Sequence, residues 1–168
     1  RWDDLRTESP MLAGTNNIYL QQYQMARFLQ THYNDATVAA NDIGAITYFT
    51  DIRLVDIFGL GSIEVAETRM NDAYTPELMR QLAADAGAEI AIAYRHWITE
   101  LLVGAIPDGW VTVGEWGTPN VVVLGGETVT FYALNDAAVA PLTDALWDFG
   151  NDLPALVFQQ HFLVEGGG

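Results

Sequence analysis

The segment from Thr37 to Glu64, TVAANDIGAITYFTDIRLVDIFGLGSIE, constrains the fold more than any other part of the sequence. Two short apolar runs occur in it, Val38-Ala39-Ala40 and Leu54-Val55. The first stops at Asn41-Asp42-Ile43-Gly44 and the second at Asp56-Ile57-Phe58-Gly59-Leu60-Gly61. Brief apolar runs bounded by turn residues suit buried strands. If both are parallel, their polar ends lie side by side on one crest, and in open α/β sheets ligands bind at the carboxyl ends of the strands.

The flanking sequence extends this alternation. Ile18, Met25 and Leu29 recur at helical spacing between Asn16 and Tyr33, so a helix is expected there. Strands follow over Thr37 to Asn41 and Arg53 to Ile57, separated by a short helix from Ile43 to about Thr50. Ser62 is placed to cap a helix running to Met70, and Thr75-Pro76-Glu77 starts another that ends at Gly87. Glu89 to Tyr94 reads as a third buried strand. Beyond Trp97 the valine-, threonine- and aromatic-rich stretches Trp110–Trp116, Asn120–Leu124 and Thr128–Leu134 suggest antiparallel strands, with Gly125-Gly126 as a tight turn between the last two. A closing helix carries Val139, Leu142, Leu146 and Phe149. The expected fold class is α/β, three-layer, with a mostly parallel sheet and antiparallel edge strands in the C-terminal half.

The 168 residues, half of them hydrophobic, suffice for one core. The organisation expected is a polar leader over 1–15 following a membrane span, a single domain over 16–165, and a disordered tail over 166–168. Arg1-Trp2 fits an interfacial anchor, although a trimmed soluble chain would begin the same way. No apolar run reaches the ~20 residues of a membrane helix. The net charge of −15, with seven arginines and no lysine, repels phosphate backbones, so nucleic acid is not an expected partner. Without cysteine the chain has no disulfide, zinc-thiolate site or thiol nucleophile.

Several residues on the crest could carry chemistry. Asn41, Asp42 and Asp56 at neighbouring strand ends would bind sugar hydroxyls, hold a cation or share acid and base roles. Alternatively, Asp42 caps the helix after it and Asp56 holds the amides of the Gly59 turn. Tyr94 and His96 end the third strand beside Trp97, an aromatic platform suited to carbohydrate; the competing reading is that the rings pack and Arg95 pairs with an acid. Gly44, Gly59 and Gly61 are structural motif positions. Gly59-Leu60-Gly61-Ser62 lacks the third glycine of a dinucleotide fingerprint and the lysine of a phosphate loop. His32, His96 and His161 have no metal-ligand spacing, so no metal is expected, and no glycine-any-serine-any-glycine elbow is present.

Asn41-Asp42-Ile43-Gly44-Ala45, followed by Tyr48-Phe49-Thr50-Asp51 and Val55-Asp56-Ile57-Phe58-Gly59-Leu60, resembles a segment of the C-terminal extracytoplasmic soluble domain of polytopic bacterial membrane glycosyltransferases. These are the GT-C type enzymes similar to dolichyl-phosphate-mannose-protein mannosyltransferases. The resemblance extends through Ala91–Tyr94, Ile106–Trp110 and Val129–Tyr132, and covers most of the chain, with specificity only in the first segment. It implies an accessory domain at the outer face of the cell membrane, whose parent uses a polyprenyl-phosphate sugar while the chain itself holds no cofactor. The implied partners are the parent membrane domain and a glycan, peptide or lipid-linked acceptor. No catalytic residue of that class matches a position here. Rival expectations are a stand-alone sugar- or nucleotide-binding enzyme and an interaction module pairing through Val121–Val123 and Val129–Phe131.

Overall fold

The computed structural model describes residues 10–162. The Arg1-Trp2 opening and the Gly166–Gly168 tail lie outside the described residues. The described residues begin with helices α1 (Pro10–Leu20) and α2 (Gln22–His32), so helix already occupies residues 10–15, part of the expected leader. The single helix expected over Asn16 to Tyr33 is instead interrupted at Gln21, where φ is −120° and ψ −70°. Gln21 is buried there and its side chain is drawn into long-range hydrogen bonds.

Strand β1 (Thr37–Ala40), helix α3 (Gly44–Phe49) and strand β2 (Arg53–Asp56) follow closely the sequence pattern. Helix α4 (Ile63–Met70) starts where the Ser62 hydroxyl accepts the amide of Val65, and α5 (Pro76–Asp85) where the Thr75 hydroxyl accepts that of Leu78. Both satisfy an amide that the first helical turn leaves free. Strand β3 (Ile90–Ala93) runs into a π-helical turn over Trp97–Leu102. Strands β4 (Val111–Gly117) and β5 (Thr128–Ala133), helix α6 (Asp136–Gly150) and strand β6 (Phe158–His161) complete the fold.

The described strands form one six-stranded sheet in the order β2-β1-β3-β5-β4-β6. β1 pairs in parallel with β2 and with β3; the pairs β3–β5, β5–β4 and β4–β6 are antiparallel. The sheet is therefore mixed, with its antiparallel pairings reaching inward to β3. Successive strand residues serve two separate cores. Val38, Ala40, Ile90 and Ile92 pack with Phe28 and Leu29 of α2 and Leu142, Leu146 and Phe149 of α6. Ala39, Val55, Ala91 and Ala93 pack with Val65 of α4, Met79 and Ala83 of α5, and Ile98. Period-2 burial on both faces explains why these strands lack the polar alternation of a half-exposed sheet.

Asn120–Leu124 is not a strand. It belongs to a connection between β4 and β5, where Asn17 holds it through Nδ2 to the Asn120 carbonyl (3.2 Å) and Oδ1 from the Val122 amide (2.8 Å). Its valines are half exposed, so the β propensity of the run is not matched by a partner strand. β5 lies inside the sheet, and Val129–Phe131 is not a free edge. Among the described residues, no helix is long and apolar enough to cross a membrane.

Candidate functional site

The crest is formed where β1, β2 and β3 end. Ala40 and Asp56 are register partners in the parallel pair, so Asn41, Asp42 and the Asp56 turn emerge together. The reversal of strand order at β1, with β2 on one side and β3 on the other, makes the gap between β1 and β3 a topological switch point.

Asp56 is nearly buried, and its carboxylate is turned into the following loop. Oδ1 accepts the amides of Phe58 (2.9 Å) and Gly59 (2.8 Å), and Oδ2 those of Gly61 (2.6 Å) and Ser62 (3.0 Å). Four donors on one carboxylate explain how a buried charge is accommodated. The loop is braced from outside. Arg69 lies over the Phe58 ring at 4.0 Å and donates to the Phe58 carbonyl, while the Tyr74 hydroxyl donates to the Ile57 carbonyl at 3.0 Å. Gly59 has φ +87°, and a Cβ there would stand 2.8 Å from the Ala66 amide nitrogen, so only glycine fits. Gly44 and Gly61 are under no such demand.

Asp42 does not cap α3; the N-cap position is Ile43, which makes no side-chain cap. Its Oδ2 instead accepts Gln22 Nε2 (2.5 Å) and lies 3.1 Å from the Tyr94 hydroxyl. That hydroxyl also lies 2.8 Å from Gln21 Oε1, so its one proton is shared between two acceptors. Burial, with the Asp42 charge and hydrogen bond beside it, raises the Tyr94 pKa well above that of a free phenol. Asn41 is buried and its Oδ1 accepts the Tyr94 amide at 3.3 Å, while its Nδ2 has no partner among the described residues. The space behind this cluster, lined by Met25, Ile46, Ile92 and Val129, has no room for water.

A strap formed by the β4–β5 connection closes the crest. Trp97 Nε1 donates to the Gly125 carbonyl (3.0 Å), and Gln21 Nε2 to the carbonyls of Gly126 (3.2 Å) and Glu127 (3.3 Å). A Cβ at Gly125 would collide with the Tyr94 ring and stand 2.7 Å from Trp97 Cζ2; one at Gly126 would be 2.6 Å from His96 Cε1. Tyr94 is buried under this strap.

Asn41, Asp42 and Tyr94 are thus brought into one network, Asp56 stands on the same crest inside its own loop, and His96 lies beyond Tyr94 with ring centroids 6.1 Å apart. Arg95 faces Glu115 at 3.6 Å and donates to Thr112. Gln21 and Gln22, absent from the sequence-derived site, complete the network; consecutive glutamines inside an amphipathic helix were the available signal. Asp56 also borders a depression of about 350 Å³ with Gly61, Ser62 and Leu82. Among the described residues, no group of three His, Asp or Glu side chains is arranged to hold a metal ion.

A family model described as Domain of unknown function (DUF8728) matches residues 16–132, more than half of the chain, taking in the crest and the strap. No curated protein and no solved structure matches the chain.

Proposed function

We propose that this chain, which belongs to the DUF8728 family, is an accessory extracytoplasmic domain of a membrane glycosyltransferase. The parent uses a polyprenyl-phosphate sugar, and this domain orients the acceptor near the membrane while transfer takes place elsewhere. The segment likeness from Asn41 to Leu60 supports the glycosyltransferase context. The observation that carries the accessory role is the commitment of the crest carboxylates. Asp56 accepts four backbone amides, and one oxygen of Asp42 faces both Gln22 and Tyr94. Groups held in this way shape a rigid rim better than they exchange protons with a substrate. The helices flank the sheet on both sides in a three-layer arrangement, which keeps that rim fixed.

A nucleotide-binding enzyme has less support. The amides of Gly61 and Ser62, which a phosphate at the start of α4 would need, already serve Asp56.

The test belongs in the full-length transferase. Asp42→Ala should raise the acceptor KM severalfold while kcat and the donor KM stay near those of the unaltered protein. An unchanged acceptor KM, or sugar transfer by the isolated chain, overturns the reading.

A further inference from the structure

A row of aromatic rings crosses the surface from α1 through α2 to α3, outside the strap. Tyr19 stacks on Tyr23 with centroids 5.8 Å and planes 23° apart, Tyr23 meets Phe49 edge-on at 5.3 Å, and Phe49 meets Tyr48 edge-on at 4.8 Å. Tyr48 is 82% exposed, Tyr19 48% and Phe49 44%, while Tyr23 between them is half-buried. Single exposed rings are ordinary, but contiguous ones keep apolar faces in water together and mark an interaction site.

The chemistry around the row narrows its partner. Neither α1 nor α3 contains a charged residue. The rim is polar: Gln22 precedes Tyr23 and donates to Asp42, and Asp51, two residues after Phe49, is bonded with Asn34. We infer that the Tyr19–Tyr23–Phe49–Tyr48 row binds an uncharged oligosaccharide, whose apolar sugar faces lie on the exposed rings of Tyr19 and Tyr48 while its hydroxyls donate to Asp42 and Asp51. Rim carboxylates on a chain of net charge −15 repel anionic glycans and anionic lipids. Sinking the row into a bilayer would strip water from those carboxylates without replacing their donors, whereas a polyol supplies donors. The inference rests on the reading above for its context and names the acceptor class.

The test uses the chain itself, titrated with neutral gluco-, manno- and galacto-hexasaccharides and followed by NMR. At least one sugar should shift the ring signals of Tyr19, Tyr23, Tyr48 and Phe49. Tyr48→Ala with Tyr19→Ala should weaken binding about tenfold or more, while Tyr48→Phe, which keeps the ring face, stays within about threefold of the unaltered chain. Both positions are exposed, and an unchanged circular dichroism spectrum confirms that the fold persists. Absence of ring shifts with every sugar overturns the inference. So does binding only to phosphatidylcholine vesicles, or self-association through these rings without sugar binding. If sugars fail while transfer still responds to Asp42→Ala, only this inference falls. If sugars bind while transfer does not respond, the accessory reading falls and the platform stands.

Discussion

At the scale of single residues, Asp56, which the sequence offers both as a ligand-binding carboxylate and as the holder of the Gly59 turn, is built into the backbone scaffold. Its two oxygens replace the hydrogen bonds that a tight loop cannot make for itself. Asp56→Asn keeps one acceptor oxygen but points an NH₂ group at one of the two pairs of backbone amides, those of Phe58 and Gly59 or those of Gly61 and Ser62. The substitution should cost about 2 to 4 kcal/mol, measured by urea denaturation, because buried donors then face a donor. A loss below about 0.5 kcal/mol would contradict the assigned role. The aspartate-to-glycine spacing revealed this loop, since Asp and Gly at turn positions act through local backbone geometry. The partners of Asp42 were hidden from such reasoning. Gln22 lies 20 positions away and Tyr94 52, and only the packed fold brings them together.

At the scale of elements, local signals were legible and tertiary ones were not. The caps at Ser62 and Thr75 stand where the sequence places them, because capping needs only the residues within one turn. The valines after Asn120 carry strand propensity, yet they form the strap, where Asn17 of α1 and Gln21 at the α1–α2 break hold the chain from far away in sequence. β6 went unforeseen because Phe158-Gln159-Gln160-His161 has no apolar alternation and is held by its pairing with β4. The strap depends on a close approach of backbone to rings. Gly125→Ala places a methyl group against Tyr94 and Trp97, so it should destabilise the protein by about 1 to 3 kcal/mol and speed amide exchange across the strap before the sheet. Hydrogen exchange that stays uniform would show that the strap is not a separately mobile unit.

At the scale of the whole molecule, buried phenols tie stability to alkaline pH. Burial first, and the charge of Glu89 second, push the Tyr33 pKa from 10.0 to about 12. Burial likewise raises Tyr74, Tyr94 and Tyr132, with Asp56 beside the first and Asp42 beside the second adding to it. A folded pKa above the unfolded one means that both states keep the proton below pH 10.0 and that this contribution is flat there; above it, the unfolded chain loses protons first. Stability should therefore fall as pH rises from about 10 towards 12, with phenolate absorbance appearing together with the loss of circular dichroism. Tyrosines that all ionise near pH 10 in a chain still folded would contradict this. The far margin of the sheet carries a different vulnerability. The Phe158 ring lies where any side chain at Gly117 would stand, and β6 covers the edge of the seven-residue strand β4. A bare edge of that length is a template for other extended chains. Loss of β6 would therefore betray itself as precipitate at high concentration, long before any ligand was missed.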